Sequence, residues 1–152
     1  MIGVIDYGIG NIGSILNMLK KIGVEANSVR TIEGVEHADK LILPGVGSFD
    51  AGMQKLKSSG LVNSIIKHAT VDQKPLLGIC LGMQMLGIGS EEGLEKGLSL
   101  IPFSCKKFDF APEVHLKVPH MGWDIISKQR SDAPILSNLD TNQRASGAPA
   151  AA

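Results

Sequence analysis

The stretch PLLGICLGMQML, residues 75–86, joins a short apolar run to a pattern typical of a helix. The run predicts a buried strand over residues 75–80, with a helix beginning directly after it. Cys80 lies at the turn between them, with Gly78 two residues before it and Gly82 two residues after it. This is the spacing of a nucleophile elbow with cysteine in place of serine.

Cys80 can be interpreted in two ways. Amides at the start of the following helix would stabilise a thiolate, and the amide of Leu81 is placed to donate to an oxyanion. These features favour a nucleophile. The alternative is a small buried core residue, because free cysteines are often buried. Cys105 has no such context and is expected to be structural.

The region before residue 90 predicts alternating strands and helices. Apolar strands without polar alternation are typical of a parallel sheet that is buried on both faces. The first helix is expected to be capped by Asn11 and ended by Gly23. The strands are predicted at 2–8, 24–30, 40–50 (ending at Pro44 and Gly45) and 75–80, and the helices at 11–23 and, broken near Gly60, at 50–69.

The region after Gly93 has shorter and more polar segments, namely CKKFDF (105–110), HLKVPHMGW (115–123) and WDIIS (123–127). They predict an antiparallel extension of the sheet. The last eight residues, ASGAPAAA (145–152), have no period and no large side chain. We expect an unstructured or altered tail there, which limits the predicted domain to residues 1–144.

Two glycine-rich loops follow predicted strands. In LPGVGSF (43–49), Val46 or Gly47 could supply a second amide to an oxyanion, or the segment could be a plain turn. The other loop partly matches a dinucleotide fingerprint through Gly8, Gly10 and Gly13. That interpretation is disfavoured because the second strand ends in Arg30 instead of an acidic residue.

Composition excludes several classes of function. Fifteen basic residues balance fifteen acidic residues, which gives no reason to expect nucleic acid or a membrane surface as a partner. No apolar run is long enough to span a bilayer, and the N-terminus does not resemble a signal peptide. Two cysteines do not form a disulfide scaffold, so the cytoplasm is the expected compartment. Histidines and acids lack ligand spacing, so we predict no metal and no cofactor.

Four segments occur together in one order, DYGIGNIGS (6–14), LPGVGSFD (43–50), LGICLGMQML (77–86) and VPHMGWD (118–124). The chain thereby resembles, over residues 1–144, the glutaminase subunit of imidazole glycerol phosphate synthase. This is a class I glutamine amidotransferase of histidine biosynthesis with a flavodoxin-like α/β fold. The elbow indicates only the class, whereas DYGIGN with PHMGW is more specific to the subunit.

The resemblance implies a set of roles. Glutamine would bind at the carboxyl edge of the sheet, Cys80 would attack its side-chain amide, and ammonia would pass to a barrel-shaped synthase partner in a heterodimer. Leu81 and Val46 would donate to the oxyanion, Val46 after a peptide flip. Gly47 and Gln84 would hold glutamine; without the resemblance, Gln84 is a solvated helix residue.

The resemblance also implies a partner interface, formed by Asn11, Pro119, Met121, Gly122 and Trp123. A lone tryptophan in a segment bracketed by glycine and proline is a plausible interface anchor. Its alternative is a partly buried core residue.

The chain departs from the family at the catalytic triad, whose His and Glu lie one residue apart on a late segment. None of the four histidines is followed two residues later by Glu. His37 and His68 are expected on the surface, His115 in the polar strands and His120 in the interface segment.

The departure leaves the function of this particular chain open. After residue 144, ASGAPAAA stands where a core strand is expected, which indicates a C-terminally truncated and inactive domain, or part of a longer molecule. A close relative serving a surface-sugar synthase, another cysteine hydrolase and a non-catalytic docking module are the alternatives.

Overall fold

The computed structural model describes residues 1–107, 109, 122–125 and 144–147. The chain divides into two compact units, within residues 1–108 and 109–149. Across the described ranges, no helix combines the length and the apolarity needed to cross a membrane.

The first unit is built on a four-stranded parallel sheet with the strand order β2-β1-β3-β4. Its strands are β1 (Ile2–Ile5), β2 (Ala26–Val29), β3 (Lys40–Gly45) and β4 (Leu76–Cys80). All four were predicted, although β3 runs through Pro44 and Gly45 and does not stop before them. The chain order reverses between β1 and β3, and in open α/β sheets ligands bind at such a switch point.

Five helices connect or follow these strands: α1 (Ile12–Lys21), α2 (Ile32–His37), α3 (Phe49–Ser58), α4 (Val62–Thr70) and α5 (Leu81–Met85). Asn11 caps α1, its Oδ1 accepting from the Ser14 amide at 3.1 Å, and Gly23 follows the helix with a φ of +77°. Both predictions are confirmed, as is the break between α3 and α4. The sequence interpretation did not include α2, which Thr31 caps through the Gly34 amide.

The core lies on both faces of the sheet, as the apolar strands predict. Ile5 and Leu43 point to the face covered by α3, α4 and α5, whereas Val4 and Ile42 point to the face covered by α1. Neighbouring strand residues alternate between faces, so each strand contributes to two separate clusters.

His68 corrects one prediction. We expected a surface residue, but it is 1% exposed on the inner face of α4, beside the buried Ile65. Its Nε2 lies 3.3 Å from the Pro75 carbonyl oxygen, and burial lowers the pKa of the ring. The sequence did carry a signal, because Leu61, Ile65 and His68 follow helical spacing.

The short strands agree only in part with the expected antiparallel extension. β5 (Gly89–Ser90) pairs with β6 (Ser104–Cys105), but the pairing is parallel, so the expectation is wrong there. The chain between them returns to the start of β5, since Ile88 donates to the Phe103 carbonyl at 2.7 Å.

The second unit contains an antiparallel pair, β7 (Gly122–Ile125) and β8 (Arg144–Gly147). β7 agrees with the predicted strand 123–127. β8 includes residues 145–147, where we expected an unstructured tail, because backbone pairing does not require large side chains. The rest of the predicted strands after residue 109 lie outside the described residues.

Candidate active site

The carboxyl ends of β1, β3 and β4 come together at one edge of the sheet. The parallel register places Gly45, at the end of β3, opposite Cys80, at the end of β4. The Tyr7 hydroxyl, just after β1, donates to the Pro44 carbonyl at 2.9 Å. The elbow and the PGVG loop are therefore neighbours, although 35 positions separate Gly45 from Cys80 in the sequence.

Cys80 has the backbone of a nucleophile elbow. Its φ is 55° and its ψ is −119°, a conformation that side-chain-bearing residues rarely adopt. Such a residue costs about 1–3 kcal/mol and persists only where its surroundings impose it. The residue is exposed, so the strained turn presents the thiol to solvent instead of burying it. The interpretation of Cys80 as a buried core residue is wrong.

The neighbouring glycines explain what imposes this backbone. A Cβ added at Gly82 would lie 1.8 Å from the Leu43 carbonyl oxygen, and one added at Gly78 would lie 2.5 Å from the Cα of Met83. The short helix α5 therefore lies too close to β3 for a side chain at Gly82, and too close to β4 for a side chain at Gly78. The two glycines flanking Cys80 at a spacing of two are a steric requirement of the turn.

Replacing Cys80 by glycine should increase the free energy of unfolding by about 1–2 kcal/mol, because glycine adopts a positive φ without the Cβ penalty. Cys80→Ala should bring no such gain, since alanine keeps the Cβ. Urea denaturation of both variants measures the difference. Equal stability of the two variants would show that the backbone at position 80 is not strained.

Of the predicted oxyanion and substrate residues, Leu81 directly follows Cys80, and Val46 and Gly47 directly follow Gly45, the partner of Cys80 in the sheet. Leu81 is the first residue of α5, with a buried side chain. Val46 is 56% exposed, and Gly47 has a φ of +95° with no atom within 4 Å of an added Cβ. Their roles as donors and as substrate contacts stay predictions.

Gln84 and Cys105 are both buried. Gln84 is 7% exposed, so its interpretation as a solvated helix residue is wrong, and it lies on the buried side of α5 with Met85. Cys105 is 2% exposed, and burial, followed by the charge of Glu92, raises the pKa of its thiol. A buried Cys105 agrees with the structural role expected for it.

The predicted interface residues are described only in part. Asn11 is exposed and caps α1. Gly122 and Trp123 lie in β7, where their backbones pair with residues 147 and 146. Pro119 and Met121 lie outside the described residues, as do His115 and His120. His37 is exposed, as expected, and its Nδ1 lies 2.8 Å from the Glu33 carbonyl oxygen.

Arg30 has a partner that bears on the dinucleotide alternative. Its guanidinium lies 2.6 Å from Asp6 Oδ2, and the Gly8 amide donates to Asp6 Oδ1 at 3.2 Å. Burial raises the pKa of Asp6, but these hydrogen bonds outweigh burial and hold the pKa below its usual value. The loop after β1 is thus braced by an internal ion pair, and its glycines serve the turn. In the described part of the chain, no three His, Cys, Asp or Glu side chains cluster as metal ligands.

Tyr7 is a site residue that sequence reasoning missed. It is 5% exposed, and burial raises the pKa of its phenol to about 12. Its contact with Pro44 depends on the pairing of β1 with β3, which no local pattern reveals. The only available signal was that a polar aromatic residue directly follows a buried strand.

The raised phenol pKa predicts a loss of stability at alkaline pH. An unfolded tyrosine ionises near 10, whereas Tyr7 in the folded protein ionises at about 12. The unfolded state therefore releases its proton first, so the contribution of Tyr7 to stability is intact below about pH 10. It falls by roughly 2–3 kcal/mol between about pH 10 and 12. Urea denaturation across this range measures the fall.

The control for this prediction is direct, because Tyr7 is the sole tyrosine in the sequence. Absorbance of the phenolate follows this one group, and Tyr7→Phe should lose this part of the alkaline instability. A phenol that titrates near 10 in the folded protein would contradict the prediction.

The fold and the elbow together define an α/β protein with an exposed cysteine at a strained strand-to-helix turn, at the carboxyl edge of a parallel sheet. Comparison with known proteins agrees. The family model "Glutamine amidotransferase class-I" matches residues 3–146. A solved crystal structure of a glutamine amidotransferase shares the fold with a TM-score of 0.63, at 20% identity, over 82% of this chain and 62% of that one.

Closer relatives bear a more specific name. Two proteins named imidazole glycerol phosphate synthase subunit HisH 2 are 51% identical (Pseudomonas aeruginosa) and 50% identical (Methanococcus maripaludis) over 144 residues. These matches cover 95% of this chain and 70% of each relative. The HisH subunit of Leptospira interrogans is 40% identical over 146 residues. The chain belongs to the class-I glutamine amidotransferase family, in its HisH branch.

Proposed function

We propose that this protein is the glutaminase subunit of an imidazole glycerol phosphate synthase and that Cys80 is its nucleophile. It would act in the cytoplasm, in histidine biosynthesis, as a heterodimer with a barrel-shaped synthase subunit. The names of the relatives support the pathway. The observation that carries the chemistry is the exposed Cys80, held at a φ of 55° opposite Gly45 of the PGVG loop.

The proposed reaction has two steps. The Cys80 sulfur attacks the side-chain carbonyl of glutamine, and the amides of Leu81 and Val46 stabilise the resulting oxyanion. When the tetrahedral intermediate collapses, the C–N bond breaks, ammonia leaves with an added proton, and a thioester remains. Water then attacks the thioester, which releases glutamate and restores the thiol.

The other predicted residues would contact the substrate or the partner subunit. Gly47 and Gln84 would hold glutamine, and burial of Gln84 suits an amide with a fixed orientation. The residues at the partner surface would be Asn11, Pro119, Met121, Gly122 and Trp123.

A glutamine analogue that carries a chloromethyl ketone in place of the side-chain amide tests the proposal. We expect it to alkylate Cys80 with saturation kinetics, as it binds first, and free glutamine should protect the thiol. Peptide mass mapping identifies the modified residue, and Cys80→Ala should take up no label. Modification that glutamine does not slow, or that falls on Cys105, would contradict the proposal.

A second candidate is a non-catalytic docking form, because neither of the two histidines that the structure describes is placed as a general base. His37 contacts its own helix and His68 is buried against Pro75, so we propose that neither is the general base. Without a base, turnover should fall by about 10²–10⁴. A glutaminase assay with and without the barrel subunit separates the candidates, because binding without turnover supports the docking form.

A further inference from the structure

We propose that Tyr7 is a positioning residue for the oxyanion site, because its hydroxyl fixes the Pro44–Gly45 peptide beside Cys80 and confines movement of the PGVG loop to the backbone after the Gly45 Cα. This inference rests on the proposed glutaminase function. It gives a role to Tyr7, a residue of the loop after β1 for which the family resemblance implies none.

The geometry of the strand end carries the first step. The Tyr7 hydroxyl donates to the Pro44 carbonyl at 2.9 Å across the switch point of the sheet. A Cβ added at Gly45 would lie 2.8 Å from that hydroxyl and 3.0 Å from both the Gly82 amide and the Leu81 Cβ. Gly45 is therefore enclosed between Tyr7 on one strand end and the elbow on the other.

The loop after β1 also passes close to the same peptide. A Cβ added at Gly10 would lie 3.4 Å from the Pro44 Cβ and 3.7 Å from the Gly45 nitrogen. Tyr7 thus holds the Pro44–Gly45 peptide by a hydrogen bond, and Gly10 leaves space beside it for little more than a Cβ. Asn11, the predicted interface residue that caps α1, directly follows Gly10 in the sequence.

The next two residues are held much less firmly. Val46 is 56% exposed, and Gly47 has a φ of +95° with no atom within 4 Å of an added Cβ. The boundary between fixed and free backbone therefore falls at the Gly45 Cα, between the Pro44–Gly45 peptide and the peptide that carries the Val46 amide. A peptide flip that turns the Val46 amide toward the oxyanion needs such a fixed point, because otherwise the whole strand end would shift.

Tyr7 acts as a permanent donor at physiological pH. Burial raises the pKa of its phenol to about 12, so the hydroxyl keeps its proton. The buried hydroxyl has no charge, and this suits a group that orients a carbonyl oxygen.

The test compares two electrophiles on the 152-residue chain and its Tyr7→Phe variant. The chloromethyl ketone analogue of glutamine develops an oxyanion when the thiol attacks, whereas iodoacetamide does not. Tyr7→Phe keeps the ring and removes only the hydroxyl. We expect the rate ratio of the two reagents at Cys80 to fall about tenfold, a fraction of the loss seen when an oxyanion donor itself is removed.

Ser64→Ala is the matched control. The buried Ser64 hydroxyl also donates to a backbone carbonyl, that of Leu61 at 2.8 Å, but it lies in α4. Both variants should lose a similar small amount of stability, and only Tyr7→Phe should change the rate ratio. An unchanged rate ratio in Tyr7→Phe, whether or not both reagents slow equally from wild type, would overturn the positioning role. A wild-type chain without preference for the glutamine analogue would instead overturn the proposed function itself.

Discussion

Replacing Gly82 by alanine is expected to lower the free energy of unfolding by roughly 3 kcal/mol or more. The new Cβ would lie 1.8 Å from the Leu43 carbonyl oxygen and 2.7 Å from its carbon. Both atoms belong to the backbone of β3, so no side-chain rotation relieves the overlap. Relief requires β3 and α5 to separate, which would also disrupt the register between Gly45 and Cys80. Urea denaturation followed by circular dichroism measures the effect.

Gly13→Ala provides the control. Gly13 lies in α1 and has no atom within 4 Å of an added Cβ, so this substitution should stabilise the protein by roughly 0.5–1 kcal/mol through helix propensity. Similar stabilities for the two variants would show that the approach of α5 to β3 is looser than described here.

The two cysteines are expected to differ in alkylation by iodoacetamide by about 100-fold or more. Cys80 is exposed, whereas Cys105 is 2% exposed and burial raises the pKa of its thiol. Because Cys105 is buried, local unfolding must expose it before it reacts, and its raised pKa lowers the fraction of the reactive thiolate. Quenched time points analysed by peptide mass mapping give both rates in one sample.

The same measurement in urea serves as the control. In the unfolded chain both thiols are accessible, so their rates should converge to within a few-fold. Comparable rates in the folded protein would contradict the exposed elbow, and a faster Cys105 would reverse the assignment of the two residues.

Local patterns were sufficient to predict the parallel sheet. The apolar strands, the Asn11 cap and the break at Gly60 each depend on residues that are close together in the sequence. The helix α2 was missed because it has only six residues with a glycine in the middle, and one side chain, Val35, is buried. The parallel pairing of β5 with β6 depends on how the intervening loop returns, which a two-residue strand cannot reveal.

The part of the candidate site that depends on the spacing of residues along the chain could be predicted from the sequence. The G-x-C-x-G pattern around Cys80 predicted the elbow, and the structure shows the steric contacts behind it. The hydrogen bond between Tyr7 and Pro44 joins residues that are 37 positions apart in the sequence, so only the strand order of the folded sheet reveals it. His68 was placed on the surface because it is polar, as was Gln84 in the interpretation made without the resemblance, although their helical spacing matched that of buried neighbours.

The backbone at position 80 also has an evolutionary consequence. Every folded molecule carries the strain of a positive φ there, whether or not the sulfur is used. In a lineage that retained only partner binding, selection would no longer oppose replacement of Cys80, and mutation to glycine would be favoured by stability alone. The genetic change is a single base, since TGT and TGC become GGT and GGC. Docking-only descendants of this fold are therefore expected to carry glycine at the elbow.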